Sequence, residues 1–260
     1  MKLSRDDEYI DVDALNIIST STLKLPQKST VFLFGSTVVY IFALYGLCKL
    51  NHITIYTIII AFFIGGFIAD LITGAAHFGF DYVWPDETPI LGLIAVDFRA
   101  HHRMPTLDPS AIDVNFTMGA YGGVPFAFAT IGFASLPSNY HASALIAAIS
   151  FSISLWLLGF HQIHSYAHMG SSLSPHEFNK AVQAISRLPD VEQKAEFRKL
   201  FDGTGIPPLV RFLQRIGLFL RPEVHWKHHN SFETDFSSLN GWSDPLMNLI
   251  YAPIARRKRH

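Results

Sequence analysis

Residues 53–81 read ITIYTIIIAFFIGGFIADLITGAAHFGFD, an apolar run that closes on a histidine and an aspartate. A helix needs about 20 apolar residues to cross the hydrocarbon of a bilayer, so 53–76 is predicted to span a membrane. One carboxylate, Asp70, stands inside that run. An ionisable residue at such depth is costly and marks a functional site by default. Asp70 precedes His77 by two helical turns and Asp81 follows it by one, which puts all three on one helix face. Asp70 and Asp81 are therefore the candidate catalytic carboxylates. Either can orient His77 by accepting its other ring proton, or bind a metal directly; for Asp81 a plain surface cap is the alternative.

Three more windows extend the pattern, at about 30–48, 116–136 and 142–160, the third of the four in chain order being weakened by four glycines and Pro125. With 49% hydrophobic and 16% charged residues and a mean hydropathy of +0.25, the composition favours a membrane protein over a soluble bundle of four buried helices. Four spans place 1–29, 77–115 and 161–260 on one side. That side holds 19 of the 20 Lys and Arg residues, Lys49 alone falling on the other, so it is read as cytoplasmic. The expected fold is all-α, an integral membrane protein with four transmembrane helices and a cytoplasmic, histidine-rich helical cap holding a dimetal site. Its organisation is a cytoplasmic segment 1–29 and a single membrane domain 30–260.

The start, MKLSRDDEYIDVD, carries five acids and no short apolar core, so no cleavable signal is expected. Cys48 is the single cysteine, which leaves no disulfide within the chain. Residues 171–221 read as a helical insertion. Ser174, Pro175 and Glu177 make a helix start, Leu188 and Pro189 end it, and Asp190 to Phe201 makes a second helix closed by Gly203. After Pro207 and Pro208, LVRFLQRIGLFLR sets Arg211 and Arg215 on one face of an apolar helix, read as lying at the headgroups and running into VHWKHH. The tail ARRKRH suits anionic lipid or a topology anchor.

Nine of the thirteen histidines gather at the cytoplasmic membrane face: His77, His101, His102, His161, His164, His168, His225, His228 and His229. HxxxH at 164–168, HxxHH at 225–229 and HH at 101–102 are spacings at which imidazoles clamp a metal ion. So many donors exceed one ion, and two metals is the economical count.

The stretches DLITGAAHFGFD (70–81), TPILG (88–92), FRAHHRMP (98–105), HQIHSYAH (161–168) and VHWKHHNSFETDFSSLNGWSDPL (224–246) together resemble the Kua-type membrane lipid desaturases. The resemblance spans most of residues 65–250. It implies eight metal-binding histidines, which fall on His77, His101, His102, His164, His168, His225, His228 and His229. His161 stands where the family usually has Asn or Gln, and is read as supporting the ligands. Two departures are the length of the segment between His168 and His225, and Phe232 where part of the family has a further histidine; both bear on the substrate more than on the reaction.

The reading that follows is an O2-dependent desaturase with two iron ions. It introduces a double bond near the polar end of a phospholipid chain, and the resemblance implies conversion of an alkyl ether lipid to a vinyl ether. Small residues at Gly65, Gly66, Gly74, Gly119, Gly122 and Gly123 either shape a slot for that chain or serve close helix packing. No flavin or nicotinamide fingerprint and no cysteine cluster is present, so an external donor of the cytochrome b5 or ferredoxin type is expected. No nucleic-acid partner is indicated. Glu233, Thr234 and Trp242 read as site-shaping residues without an assigned role. Three alternatives stay open: a diiron lipid hydroxylase or monooxygenase, a zinc-dependent lipid hydrolase using Asp70, Asp97 or Glu223 as base, and a haem-binding electron carrier.

Overall fold

The computed structural model describes residues 28–89, 91–103, 109–136, 141–173, 175–185, 187–189, 192, 195–196 and 199–259. The expected segment 1–29 lies almost wholly outside these residues, as do the Ser174 cap and most of the expected helix from Asp190 to Phe201. The described helices are α1 (Lys28–Cys48), α2 (Ile55–Tyr82), α3 (Leu91–Arg103), α4 (Ile112–Ala134), α5 (His141–Leu158), α6 (Phe160–Ala167), α7 (Pro175–Ile185), α8 (Pro208–Arg215), α9 (Pro222–Ser231) and α10 (Asp244–Arg259). Among the described residues there is no sheet, and Gly170 and Thr204 form an isolated antiparallel bridge.

Thr54 starts α2 with a reciprocal cap, its hydroxyl accepting from Thr57 N at 3.2 Å while the Thr57 hydroxyl accepts from Thr54 N at 3.4 Å. The helix then runs on to Tyr82 and carries His77 and Asp81 as regular helical residues. Helices α1 and α2 are long and apolar enough to cross a membrane. Helices α5 and α6 pass the same test as a pair, bent by 46° where Gly159 interrupts them. Large apolar side chains on the outer faces of α1 and α2, Phe34, Ile41, Phe42, Ile58 and Phe63 among them, are exposed. A surface so apolar on helices of this length belongs in lipid, and the protein is a membrane protein.

The expected span at 116–136 forms a helix, α4, but not one apolar enough to qualify by itself. Its small residues are spent on other helices. A Cβ at Gly119 would lie 2.8 Å from the Leu157 carbonyl oxygen and closer still to that of Leu158; one at Gly123 would lie 2.7 Å from the Ser154 carbonyl oxygen. The Ser154 hydroxyl donates to Gly123 O at 2.7 Å, and the Tyr40 hydroxyl donates to Ser154 O at 3.1 Å, so α1, α4 and α5 interlock. Gly65 meets Ser152 and Gly74 meets Met247 just as closely. These glycines serve helix packing and leave no slot at their positions.

Two apolar clusters seat the C-terminal part over the end of α2. Ala69, Trp156, Leu157, Ile163, Leu220 and Leu239 form one, with Trp242 against it. Phe78, Phe236, Met247 and Ala255 form the other. Helix α8 stops at Arg215, short of the expected run to Arg221, because Gly217 takes a left-handed φ of 76°. Leu209, Phe212 and Ile216 stay exposed around it while Val210 and Gln214 pack inward.

Candidate metal centre

Helical spacing brings three pairs of donors to one place. His77 and Asp81 on α2, His164 and His168 across α6, and His225 and His229 on α9 each stand four residues apart, and so point the same way. The doublet His101 and His102 on α3 faces two ways, since consecutive helical residues diverge by about 100°. The result is two adjacent groups. His101, His164, His168, His225 and His229 form one; His77, Asp81, His102 and His228 form the other, with the donor atoms of each group lying within 4.8 Å of one another. Each HH doublet contributes one imidazole to each group, and the His102 and His229 rings meet between them at 4.8 Å.

In the five-histidine group the Nε2 atom of His225 lies 2.8 Å from that of His164, 2.9 Å from that of His168 and 3.0 Å from that of His229. In the mixed group His77 Nε2 lies 2.8 Å from His102 Nε2 and 3.2 Å from His228 Nε2. The proton positions are decided by what the other ring nitrogens touch. His77 Nδ1 donates to the Phe236 carbonyl at 3.0 Å and lies 3.2 Å from Ser238 Oγ, while His228 Nδ1 donates to the Thr234 carbonyl at 2.8 Å. A carbonyl only accepts, so in the neutral rings both Nε2 atoms are bare lone pairs. Two lone pairs 3.2 Å apart repel unless a cation sits against them.

The carboxylate agrees. The side chain of Asp81 is buried, neither of its oxygens has a hydrogen-bond partner among the described residues, and it faces His77 Nε2 and His228 Nε2 at 3.6 Å and His102 Nδ1 at 3.5 Å. A buried, unpaired carboxylate is costly unless it meets a cation. His101 Nε2 is likewise buried without a partner among the described residues. Burial, with smaller contributions from neighbouring imidazoles, holds His101 down to about 3 and keeps His102, His225 and His229 well below their ordinary range. These rings are therefore neutral at physiological pH and offer lone pairs. The donor set fits two cations of the kind that imidazole and carboxylate bind, iron, zinc or manganese among them.

All eight histidines expected as ligands fall in these two groups, and Asp81 joins them; Asp70 and His161 do not. Asp70 was expected to orient His77 or to bind metal. Its oxygens are instead taken by the 237–243 loop: the hydroxyls of Ser237 and Ser243 and the backbone N–H groups of Asn240, Gly241 and Ser243. Two turns of helix are about 10 Å of rise, so a shared face is not contact. His161 packs against Phe160 and lies outside both groups. Of the carboxylates considered as hydrolytic bases, Glu223 pairs with Arg221 at 3.8 Å, Asp70 is occupied as above, and the side chain of Asp97 lies outside the described ones. The residues that sequence reasoning missed are Phe236 and Ser238, whose acceptors meet His77, while Thr234, read as site-shaping without a role, supplies the carbonyl that fixes His228. Their signal was only their place, directly after the HH doublet in NSFETDFSS. The backbone there is unusual: Phe232 and Asp235 both take positive φ, 54° and 61°, a strain that functional turns often hold. Glu233 pairs with Arg256 at 3.2 Å and the Trp242 indole donates to Gly217 O at 2.7 Å, both away from the donors.

An apolar cavity of about 840 Å³ lies between α1, α2, α5, α6 and α8. It meets α6 at Gln162, Ile163 and Tyr166, on the face opposite His164 and His168. It therefore runs beside the donor groups and not in front of them.

A curated relative from Myxococcus xanthus, named plasmanylethanolamine desaturase, is 26% identical over 203 residues, which is 76% of this chain and 58% of that protein. The chain thus spans somewhat more than half the length of that relative. No solved structure matches the chain. The lipid desaturase domain family matches residues 66–202, a stretch that holds five of the eight histidines and ends before α9. That match covers more than half of the 260 residues, and this membrane protein with its two histidine-rich donor groups belongs to the lipid desaturase domain family.

Proposed function

We propose that the protein is a diiron desaturase. It uses dioxygen to introduce a carbon–carbon double bond near the polar end of a membrane phospholipid chain, with an alkyl ether lipid converted to a vinyl ether as the reaction. The observation that carries this reading is the pairing of two adjacent donor groups in a lipid desaturase family member. His101, His164, His168, His225 and His229 would hold one ion, and His77, Asp81, His102 and His228 the other. When bound, two such ions supply the redox capacity to reduce dioxygen and to take hydrogen from unactivated carbon, which no side chain can do.

The chain's own residues hold and orient. Phe236 and Thr234 keep the protons of His77 and His228 on Nδ1, which leaves both Nε2 lone pairs free to hold an ion. The apolar walls around the groups, Phe98, Phe160, Phe232 and Phe236, stand against the imidazoles and limit water. Helix α4, wedged among α1, α5 and α6, is proposed as the fourth span. The donors lie at the ends of α2 and α6, on the side that charge placement makes cytoplasmic, within one domain of residues 30–260. The balanced reaction takes one lipid, one dioxygen, two electrons and two protons to one desaturated lipid and two waters. The electrons come from an external carrier of the cytochrome b5 or ferredoxin type.

The test is iron content, dioxygen uptake and lipid product of the detergent-purified protein supplied with a reductant and an alkyl ether phospholipid. About two irons per chain and a product lighter by two hydrogens are expected. A product heavier by one oxygen makes the enzyme a hydroxylase; zinc with no oxygen uptake and a hydrolysed lipid overturns the oxidative reading.

A further inference from the structure

Asp70 is wholly buried inside α2. It accepts from Asn240 N at 3.0 Å, Gly241 N at 3.3 Å, Ser243 N at 2.9 Å and Ser243 Oγ at 2.7 Å, and from the Ser237 hydroxyl. One carboxylate thereby gathers a seven-residue loop. The residues on either side of Ser237 are the ones that meet His77: the Phe236 carbonyl at 3.0 Å from Nδ1 and the Ser238 hydroxyl at 3.2 Å. Helix α2 grips the loop at two points on one face, by a carboxylate at 70 and by an imidazole N–H at 77.

We propose that Asp70 is a positioning residue for the mixed group. By anchoring Ser237 it sets the Phe236 carbonyl and the Ser238 hydroxyl on His77 Nδ1, and this fixes the proton there and presents the Nε2 lone pair to the site shared with Asp81, His102 and His228. A buried carboxylate is needed for that task because every partner donates. An asparagine in its place turns an N–H toward either the Ser243 donors or the Ser237, Asn240 and Gly241 donors, and the loop loses its anchor. The five-histidine group has no tie to this loop among the described contacts. The Nε2 atoms of His164, His168, His225 and His229 meet one another, so its affinity is independent of Asp70.

The inference rests on the reading of the two groups as metal sites, and the experiment separates the two claims. Cobalt(II) is titrated into the full chain in detergent, with absorption and bound-metal mass as readouts, in two backgrounds. His168→Ala disables the five-histidine group and reports the mixed group; His77→Ala does the converse. Asp70→Asn is expected to weaken cobalt binding about 10–100-fold in the first background, the range for losing a group that orients a ligand, and to leave it unchanged in the second. Ser238→Ala removes one of the two acceptors without touching the anchor, and is expected to weaken the same group to a smaller extent. Equal weakening in both backgrounds makes Asp70 a general structural residue and overturns the proposal, as does no weakening in either. If Asp70→Asn does not fold, Ser238→Ala decides, and unchanged affinity in the first background overturns it. Failure of the otherwise unaltered chain to bind cobalt at all overturns the metal reading instead.

Discussion

Asp81 makes the sharpest prediction, because its two roles pull stability in opposite directions. Its side chain is 5% exposed and neither oxygen has a hydrogen-bond partner among the described residues. Stripped of a cation it is a buried charge facing three imidazoles at 3.5–3.6 Å, too long for hydrogen bonds. Leaving a buried polar group unsatisfied costs about 1–3 kcal/mol, and more for a charge. A bound ion removes that cost and adds its own linkage, about 2.7 kcal/mol at a free concentration one hundred times its dissociation constant. For a chain of this size about 1 kcal/mol moves the midpoint by about 2–4 °C. Chelation is therefore expected to lower the thermal midpoint of the detergent-solubilised protein. Asp81→Asn is expected to reverse the order: in chelator the variant melts about 2–12 °C above the parent chain, and on adding ferrous iron anaerobically it gains less. Tryptophan fluorescence with and without chelator reads both arms. A chelated variant that melts at or below the chelated parent refutes the reasoning, since the carboxylate is then not an uncompensated charge.

Two further outcomes follow from packing and from charge. Gly119→Ala drives a Cβ into the Leu157 and Leu158 carbonyls, whereas Gly122→Ala meets nothing nearer than Leu157 Cβ at 3.8 Å. The first is expected to destabilise by about 1–3 kcal/mol and the second to be near neutral, read by thermal unfolding of each; equal effects contradict the α4–α5 contact. Burial, reinforced by the nearby Asp70 charge, pushes Asp244 up to about 8. A carboxyl raised on folding binds more protons folded than unfolded, so its contribution falls as pH rises from about 4 to about 8. The parent chain is expected to lose stability across that window and Asp244→Asn to show a flatter profile; parallel profiles refute the assignment.

What could be read from the sequence divides by distance along the chain. The spans at 30–48 and 53–76 were legible because uninterrupted apolar residues leave a helix no soluble face, and α1 and α2 occupy those positions. His77 with Asp81, His164 with His168 and His225 with His229 were legible as aligned pairs because four residues is one turn. The sharing of each HH doublet between two groups follows from the same helical geometry, yet spacing alone could not say which partner each member finds; the answer lies in contacts such as His77 with His102 and His228, 25 and 151 residues away. Asp70 shows the limit most clearly. Its position on the His77 face suggested a direct partnership, but its donors come from 167 to 173 residues downstream, out of a loop without periodicity. Helix α4 carries the complementary lesson. Gly119 and Gly123 lower its hydropathy as a span and serve contacts with α5, so a feature that weakened the sequence signal is the one that lets the helices approach. Local periodicity therefore determines which side chains leave a helix together, while the long loop after α9, with left-handed Phe232 and Asp235 turning two carbonyls back onto His77 and His228, determines what those side chains can do.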